Sequence, residues 1–149
     1  MDLKEQLENG LKDAIRSGDD VSKRTLRMAI SSIRLIEVEK GSRLDDAGVI
    51  AVLQKEVKSR QESIAEAQKA NRPDLMADTQ AEVVVLEKYL PKALSPEELE
   101  DLAKQAIAEV GATNQKEMGA VMKVLMPRLK GRATGDQASQ VVRRLLQPT

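Results

Sequence analysis

The chain has no cysteine, no histidine, no tryptophan and no phenylalanine, and Tyr89 is its only aromatic residue. Each absence excludes chemistry. Without Cys there is no disulfide and no thiol nucleophile. Without either Cys or His a zinc site loses its usual ligands, and the commonest general base near neutral pH is missing. No metal and no cofactor is therefore expected. A single ring cannot build the aromatic platform on which single-strand readers stack bases, so any nucleic-acid contact would run through charge and shape. There is no long apolar run and no secretory h-region at the N-terminus, so no membrane span is expected and the chain reads as cytoplasmic.

What is present is aliphatic and charged. Over 149 residues, hydrophobic content is 41% and charged content 32%, which fits one ordinary domain or a domain with a small appendage. The core has to be made of Leu, Ile, Val, Ala and Met, which suits interdigitating helices. Helical spacing dominates the chain. Leu3, Leu7, Leu11 and Ile15 form one stripe, closed by Gly18-Asp19-Asp20. Leu26, Ala29, Ile30, Ile33 and Ile36 form the next, and Met28, Leu35 and Val38 widen it, so this second helix is expected to be central. Gly41 stands at a C-terminal cap position and Asp45 at the N-cap of a third helix. Pro73 suits the first turn of a fourth. Pro91 then disfavours helix at Leu90.

Beyond Pro91 the signals change. Ser95-Pro96-Glu97-Glu98 is a capping box, Asn114 with Glu117 has the pattern of a second, and Thr134 with Gln137 that of a third. The expected fold is all-α, with an elongated helical hairpin or bundle domain over residues 1–91 and a small three-helix domain over 95–149. Residues 1–91 carry 15 Lys and Arg against 17 Asp and Glu, and the remainder carries nine against seven.

The second part is polarised. From Met118 onward stand Lys123, Arg128, Lys130, Arg132, Arg143 and Arg144, with Asp136 the only acid, a net +5 in a chain of net charge zero. Such a basic end points to a polyanion, and Lys130-Gly131-Arg132 falls in a turn where backbone N–H groups and cations converge on a phosphate. The plain alternative is a solvated basic face paired with Glu97, Glu98, Glu100 and Asp101 of the preceding helix. Met118, Met122 and Met126, with Val121 and Leu125, read as core, and Gly119 would let another helix approach closely. Arg60 falls on an apolar seam and needs a partner, for which Glu82 and Glu87 are the candidates.

No catalytic residue stands out. Glu37/Glu39, Asp45/Asp46 and Glu97/Glu98 are not spaced to lie side by side on a helix. No phosphate-binding GxxxxGK[ST] loop, GxSxG elbow or HExxH pattern is present.

An ordered series of short motifs resembles the GatB/YqeY family, in its stand-alone YqeY-type form. The series is Leu26-Arg27-Met28, Lys58 with Arg60, Asn71-Arg72-Pro73-Asp74-Leu75, Leu86-Glu87, Tyr89-Leu90-Pro91, Leu94-Ser95 with Glu97-Glu98-Leu99, Val110-Gly111-Ala112, Met118-Gly119, Val121-Met122, Met126-Pro127, Lys130-Gly131, and Ala133 with Gly135. The resemblance implies a helical N-terminal domain and a C-terminal module similar to the tail domain of GatB, the component of the tRNA-dependent amidotransferase whose tail contacts tRNA. It further implies an accessory protein of tRNA amidation; the alternative is a protein-interaction adaptor that grips an amidotransferase or an aminoacyl-tRNA synthetase. The family is also catalogued under carbon–nitrogen ligase activity with glutamine as amido donor, an activity for which no self-contained active site is visible here. Ala120 stands where the family commonly carries Lys, with Lys123 three residues on, and Arg128 and Arg132 stand where Lys is frequent.

Overall fold

In the computed structural model, which describes residues 1–147, the chain is all-α. The described residues form seven α-helices: α1 (Leu3–Ser17), α2 (Asp20–Lys40), α3 (Asp46–Lys69), α4 (Pro73–Glu87), α5 (Pro96–Val110), α6 (Met118–Leu129) and α7 (Gly135–Leu145). A single 3-10 turn, Gln115–Glu117, precedes α6. Residues 148 and 149, the end of the second expected domain, lie outside the described residues. The chain separates into two compact units, the first Met1–Leu90 and the second beginning at Pro91.

The helix ends follow local chemistry. Asp2, Asp19 and Asp45 accept from backbone N–H groups of the first turns of α1, α2 and α3. Ser95 and Glu98 close a full capping box on α5, and Thr134 and Gln137 close one on α7. Gly18, Gly41 and Gly111 end their helices in the left-handed conformation that side chains with a Cβ resist. The Asn114 pattern turns out differently. Asn114 accepts from Lys116 N–H and caps the 3-10 turn, while Glu117 accepts from Thr113 N–H. The tighter 3-10 winding moves the acid off the box position.

The first unit is two helical hairpins. Lys4 pairs with Glu37 and Glu8 with Arg34, so α1 and α2 run in opposite directions. Arg60 meets Glu82 across α3 and α4 in the same sense. Leu7, Leu26, Ile33, Val49, Leu53 and Leu86 are fully buried at the centre. The α2–α3 loop is fastened by Glu37, which accepts from Lys4 Nζ and from the Leu44 N–H. Those two donors, Lys4 first, hold the Glu37 carboxyl below its usual pKa. Arg60 is the expected ion-paired residue, only 7% exposed. Its partners are Glu56 at 2.7 Å and Glu82 at 3.4 Å, not Glu87.

The second helix is central as expected, packing on α1, α3 and α4, but the expected widening of its apolar face needs correcting. Its inner face is buried, but Met28, Leu35 and Val38 are 53%, 61% and 79% exposed, and Met28 only borders the packed region, with its sulfur against Arg60. The apolar surface of this helix therefore extends beyond its packed face in the first unit.

Tyr89 packs its ring against α1. A Cβ placed on Gly10 would lie 2.0 Å from the Tyr89 hydroxyl oxygen, so only glycine fits there. Burial, and then the nearby Asp13 carboxylate, push the Tyr89 hydroxyl above its usual pKa. Gly10→Ala is expected to destabilise the chain by about 1–2 kcal/mol, because the overpacking outweighs the gain in helix propensity. Adding Tyr89→Phe, which removes the clashing oxygen, should recover at least half of that loss in thermal unfolding. A Gly10→Ala chain as stable as the parent would mean the ring is not held against α1.

The second unit is built on α5, α6 and α7. Leu99, Ala103 and Ala106 of α5 meet Val121, Leu125 and Leu129 of α6 and Ala138 and Val142 of α7. Met118 and Met122 pack against this cluster, but Met126 is 42% exposed and stands outside it. Nothing lies within 4 Å of a Cβ built on Gly119, so no helix of the described residues approaches there.

Candidate nucleic-acid interface

All six sequence-derived cations sit on α6, α7 or the turn between them, and they fall into two groups. Arg128, Arg132 and Arg144 are ion-paired to α5: Arg128 to Glu109, Arg132 to Glu98 at 3.4 Å, and Arg144 to Glu100 at 3.5 Å. Glu98 and Glu109 are eleven residues apart, close to three full helical turns, so they project from one flank of α5. Glu100 is two residues from Glu98 and projects from the opposite flank. The three arginines therefore straddle α5 rather than converging on one point.

Lys123, Lys130 and Arg143 make no ion pair among the described residues, and all three are exposed. Lys123 lies opposite the buried Leu125 seam of α6, at a position where the helix faces solvent. Lys130 caps α6 in the left-handed conformation, φ 50°, and Gly131 follows at φ 76°. Two successive left-handed residues turn the chain from α6 into α7 within a few residues. Arg143 belongs to the last turn of α7, where its cation also suits the negative end of the helix dipole. The backbone carbonyl of Arg143 accepts from the Gln115 side chain at 3.4 Å, which ties the end of α7 to the start of α6.

The turn differs from the expected phosphate cradle. The Arg132 N–H donates to the Leu129 carbonyl at 2.9 Å, and the Arg132 carbonyl accepts from the Leu94 N–H at 2.8 Å. Arg132 Nε donates to the Lys92 carbonyl at 2.9 Å. Arg132 is thus a strap between the α6–α7 turn and the segment that enters α5. Its backbone N–H is spent inside the protein.

Counter-charges lie on α5, at Glu98 and Glu100 as the acid pattern suggests, and also at Glu109, which that pattern does not include. The signal for Glu109 is weak: an acid near the C-terminal end of a helix, which the helix dipole disfavours unless a cation stands nearby. Among the described residues no group of three or more acids is placed to hold a metal ion, and no helix is long and apolar enough to cross a membrane.

Comparison with known proteins adds the chain's relationships. A protein named "Altered inheritance of mitochondria protein 41, mitochondrial" from Pyrenophora tritici-repentis is 29% identical over 136 residues, covering 89% of this chain and 74% of that protein. Its namesake from Vanderwaltozyma polyspora is 30% identical over 97 residues, covering 63% of this chain and 52% of that protein. The Kluyveromyces lactis namesake is 33% identical over 108 residues, covering 70% and 58% respectively. The match thus spans from about half to three quarters of the relatives' own lengths. These names overturn the cytoplasmic expectation, since the relatives are named as mitochondrial proteins. The physical reason for the error is plain. Missing secretory and membrane segments say nothing about mitochondrial targeting, whose signals are amphipathic and Arg-rich rather than continuously apolar. A family model described as Yqey-like protein matches residues 4–146, nearly the whole chain, and the chain belongs to that family.

Proposed function

We propose that the chain is a non-catalytic tRNA-binding accessory protein, related to tRNA-dependent amidation, that uses the α6–α7 hairpin against the phosphate backbone. The observation that carries this reading is the set of unpaired, exposed cations Lys123, Lys130 and Arg143 on a segment of net charge +5. A polyanion is the ligand that such a surface attracts. The paired arginines add to the same capacity. Exposed ion pairs are worth only about 0–1 kcal/mol, so Arg128, Arg132 and Arg144 can exchange carboxylate for phosphate at little cost. The lack of aromatic platforms directs the contact to backbone and shape. The resemblance of the second unit to the amidotransferase tail domain supports tRNA as the polyanion, and an amidotransferase or an aminoacyl-tRNA synthetase as the protein partner.

The test is a binding titration of the full chain with folded tRNA and with unstructured RNA of equal length, across a salt series. Tighter binding to folded tRNA is expected, with affinity falling steeply as salt rises. The triple variant Lys123→Glu, Lys130→Glu, Arg143→Glu should lower affinity at least tenfold. It should also flatten the log–log salt dependence by about 2–3 units, at about 0.7–0.9 per lost phosphate contact. Arg132 is left untouched, because reversing it also removes the strap to Lys92. Unchanged affinity in the triple variant would remove the proposed surface, and equal binding of both RNAs would remove tRNA as its ligand.

A further inference from the structure

Resting on the RNA-binding role proposed above, we infer that the sugar–phosphate backbone of the RNA lies directly on the outer face of α6, with Gly119 as the point of closest approach and Lys116 as a further cation of the contact. A glycine is required where the backbone is left-handed or where a neighbour comes too close for a Cβ. Gly18, Gly41, Gly111 and Gly131 are left-handed. Gly10, Gly48 and Gly135 each have a side-chain atom within 4 Å of a Cβ built on them. Gly119 alone has neither: its φ is not positive, and nothing lies within 4 Å. It stands exposed in the first turn of α6, where glycine weakens a helix relative to alanine. Nothing among the described residues uses the opening it leaves.

The surroundings of Gly119 select a polyanion to fill that opening. Lys116 stands three residues before it and Lys123 four residues after, spacings that put both on the Gly119 side of the helix. Both are exposed and make no ion pair among the described residues. Ala120, beside Gly119, is exposed and also lacks a long side chain. The helix itself carries no acid. Glu117 turns back to accept from the Thr113 N–H. Two unpaired ammonium groups therefore bracket a place bare of side chains, with no carboxylate of α6 beside them. An RNA strand matches both features. Its phosphates take the lysines, and the ribose chain between them takes the opening, flush against the helix backbone. Such a contact addresses no base, in keeping with a chain that has no aromatic platform.

Titration of the full chain with folded tRNA tests this. Gly119→Ala should unfold at the same temperature as the parent or higher, and yet bind tRNA more weakly, because the added methyl holds the RNA off the helix. Gly119→Leu should weaken binding about tenfold or more, as an overpacked contact does. Neither change alters charge, so a loss graded by side-chain size is steric. Helicity should hold in both, since the new side chains enter open space. Ala108→Leu, exposed on α5, should bind as the parent does. Lys116→Ala should weaken binding and flatten the log–log salt dependence by about 0.7–0.9. Equal affinity of the parent, Gly119→Ala and Gly119→Leu would overturn the inference while leaving RNA binding by the second unit intact. So would a loss in Ala108→Leu as large as that in Gly119→Leu, or a Lys116→Ala chain that binds like the parent. A parent chain that binds no RNA would overturn both the contact and the role on which it rests.

Discussion

Replacing Leu125 with Ala is expected to unfold the second unit while the first stays folded. Leu125 is fully buried at the middle of α6, where α5 and α7 both pack on it. Around it stand the small residues Ala103, Ala106 and Ala138, which draw the three helices close and leave Leu125 and Leu129 as the largest fully buried side chains of this core. Removing a buried leucine side chain costs about 2–5 kcal/mol, and more where the neighbours cannot relax into the space. A unit of this size holds only a few kcal/mol of net stability. The loss is therefore comparable with the whole. Far-UV circular dichroism should lose the share of helix that belongs to α5, α6 and α7. Tyr89, the only aromatic residue, sits in the first unit and reports on that unit alone, so its fluorescence transition in urea should not move. Leu125→Met, which nearly conserves volume, should keep both signals. Full helicity in Leu125→Ala, or a shift of the Tyr89 transition equal to the loss of helix, would show that the two cores do not fold as separate units. The same variant should lose RNA binding, since α6 and α7 position the basic residues.

How much of this is legible in the sequence depends on the range of the interaction concerned. Helix ends are set by neighbours within four residues, so Gly18, Gly41, Asp45, Pro73, Ser95 and Thr134 announce them correctly. The buried face of α1 follows from spacing only in part: Leu3 and Leu7 are buried, but Ile15 on the same stripe is 50% exposed and Ala14 beside it is buried instead. The widened face of α2 does not follow from it. Met28, Leu35 and Val38 are as apolar as a core, and a sequence does not record whether a chain covers such residues itself. Glu56 lies four residues from Arg60, a spacing that by itself marks a partner on the same helix. The apolar seam points instead to the next helix, where Glu82 is a partner and Glu87 is not. At the candidate site the charge is plain in the sequence but its pairing is not. Whether Arg128 meets Glu109, or Lys123 meets nothing, depends on how α6 lies along α5, and only packing fixes that.

Arg60→Met is expected to cost about 3 kcal/mol, the lower end of the range for breaking a buried ion pair. Arg60 holds Glu56 and Glu82 together beneath Met28, whose sulfur lies 3.8 Å from Arg60 Nη2. Without the cation, two carboxylates that are 19% and 17% exposed face each other in a poorly solvated place. The loss stays at the low end because each acid keeps another partner. Glu82 retains Arg24 at 3.2 Å, and Glu56 retains the Ser32 hydroxyl at 3.1 Å. For a unit of about 90 residues this corresponds to a fall in midpoint of roughly 12 °C or more, read from thermal unfolding. The informative companion is the triple variant Arg60→Met, Glu56→Gln, Glu82→Gln, which removes the charges together. The network is imperfect as it stands, since Arg60 Nε is buried and its 3.4 Å approach to Glu82 does not make a hydrogen bond. Removing the whole cluster should therefore restore most of the lost stability, as neutral replacements of buried ion pairs often do. If Arg60→Met alone were neutral, the guanidinium would be merely tolerated on the seam. If the triple variant fell further than the single one, the ion cluster would be a net source of stability after all.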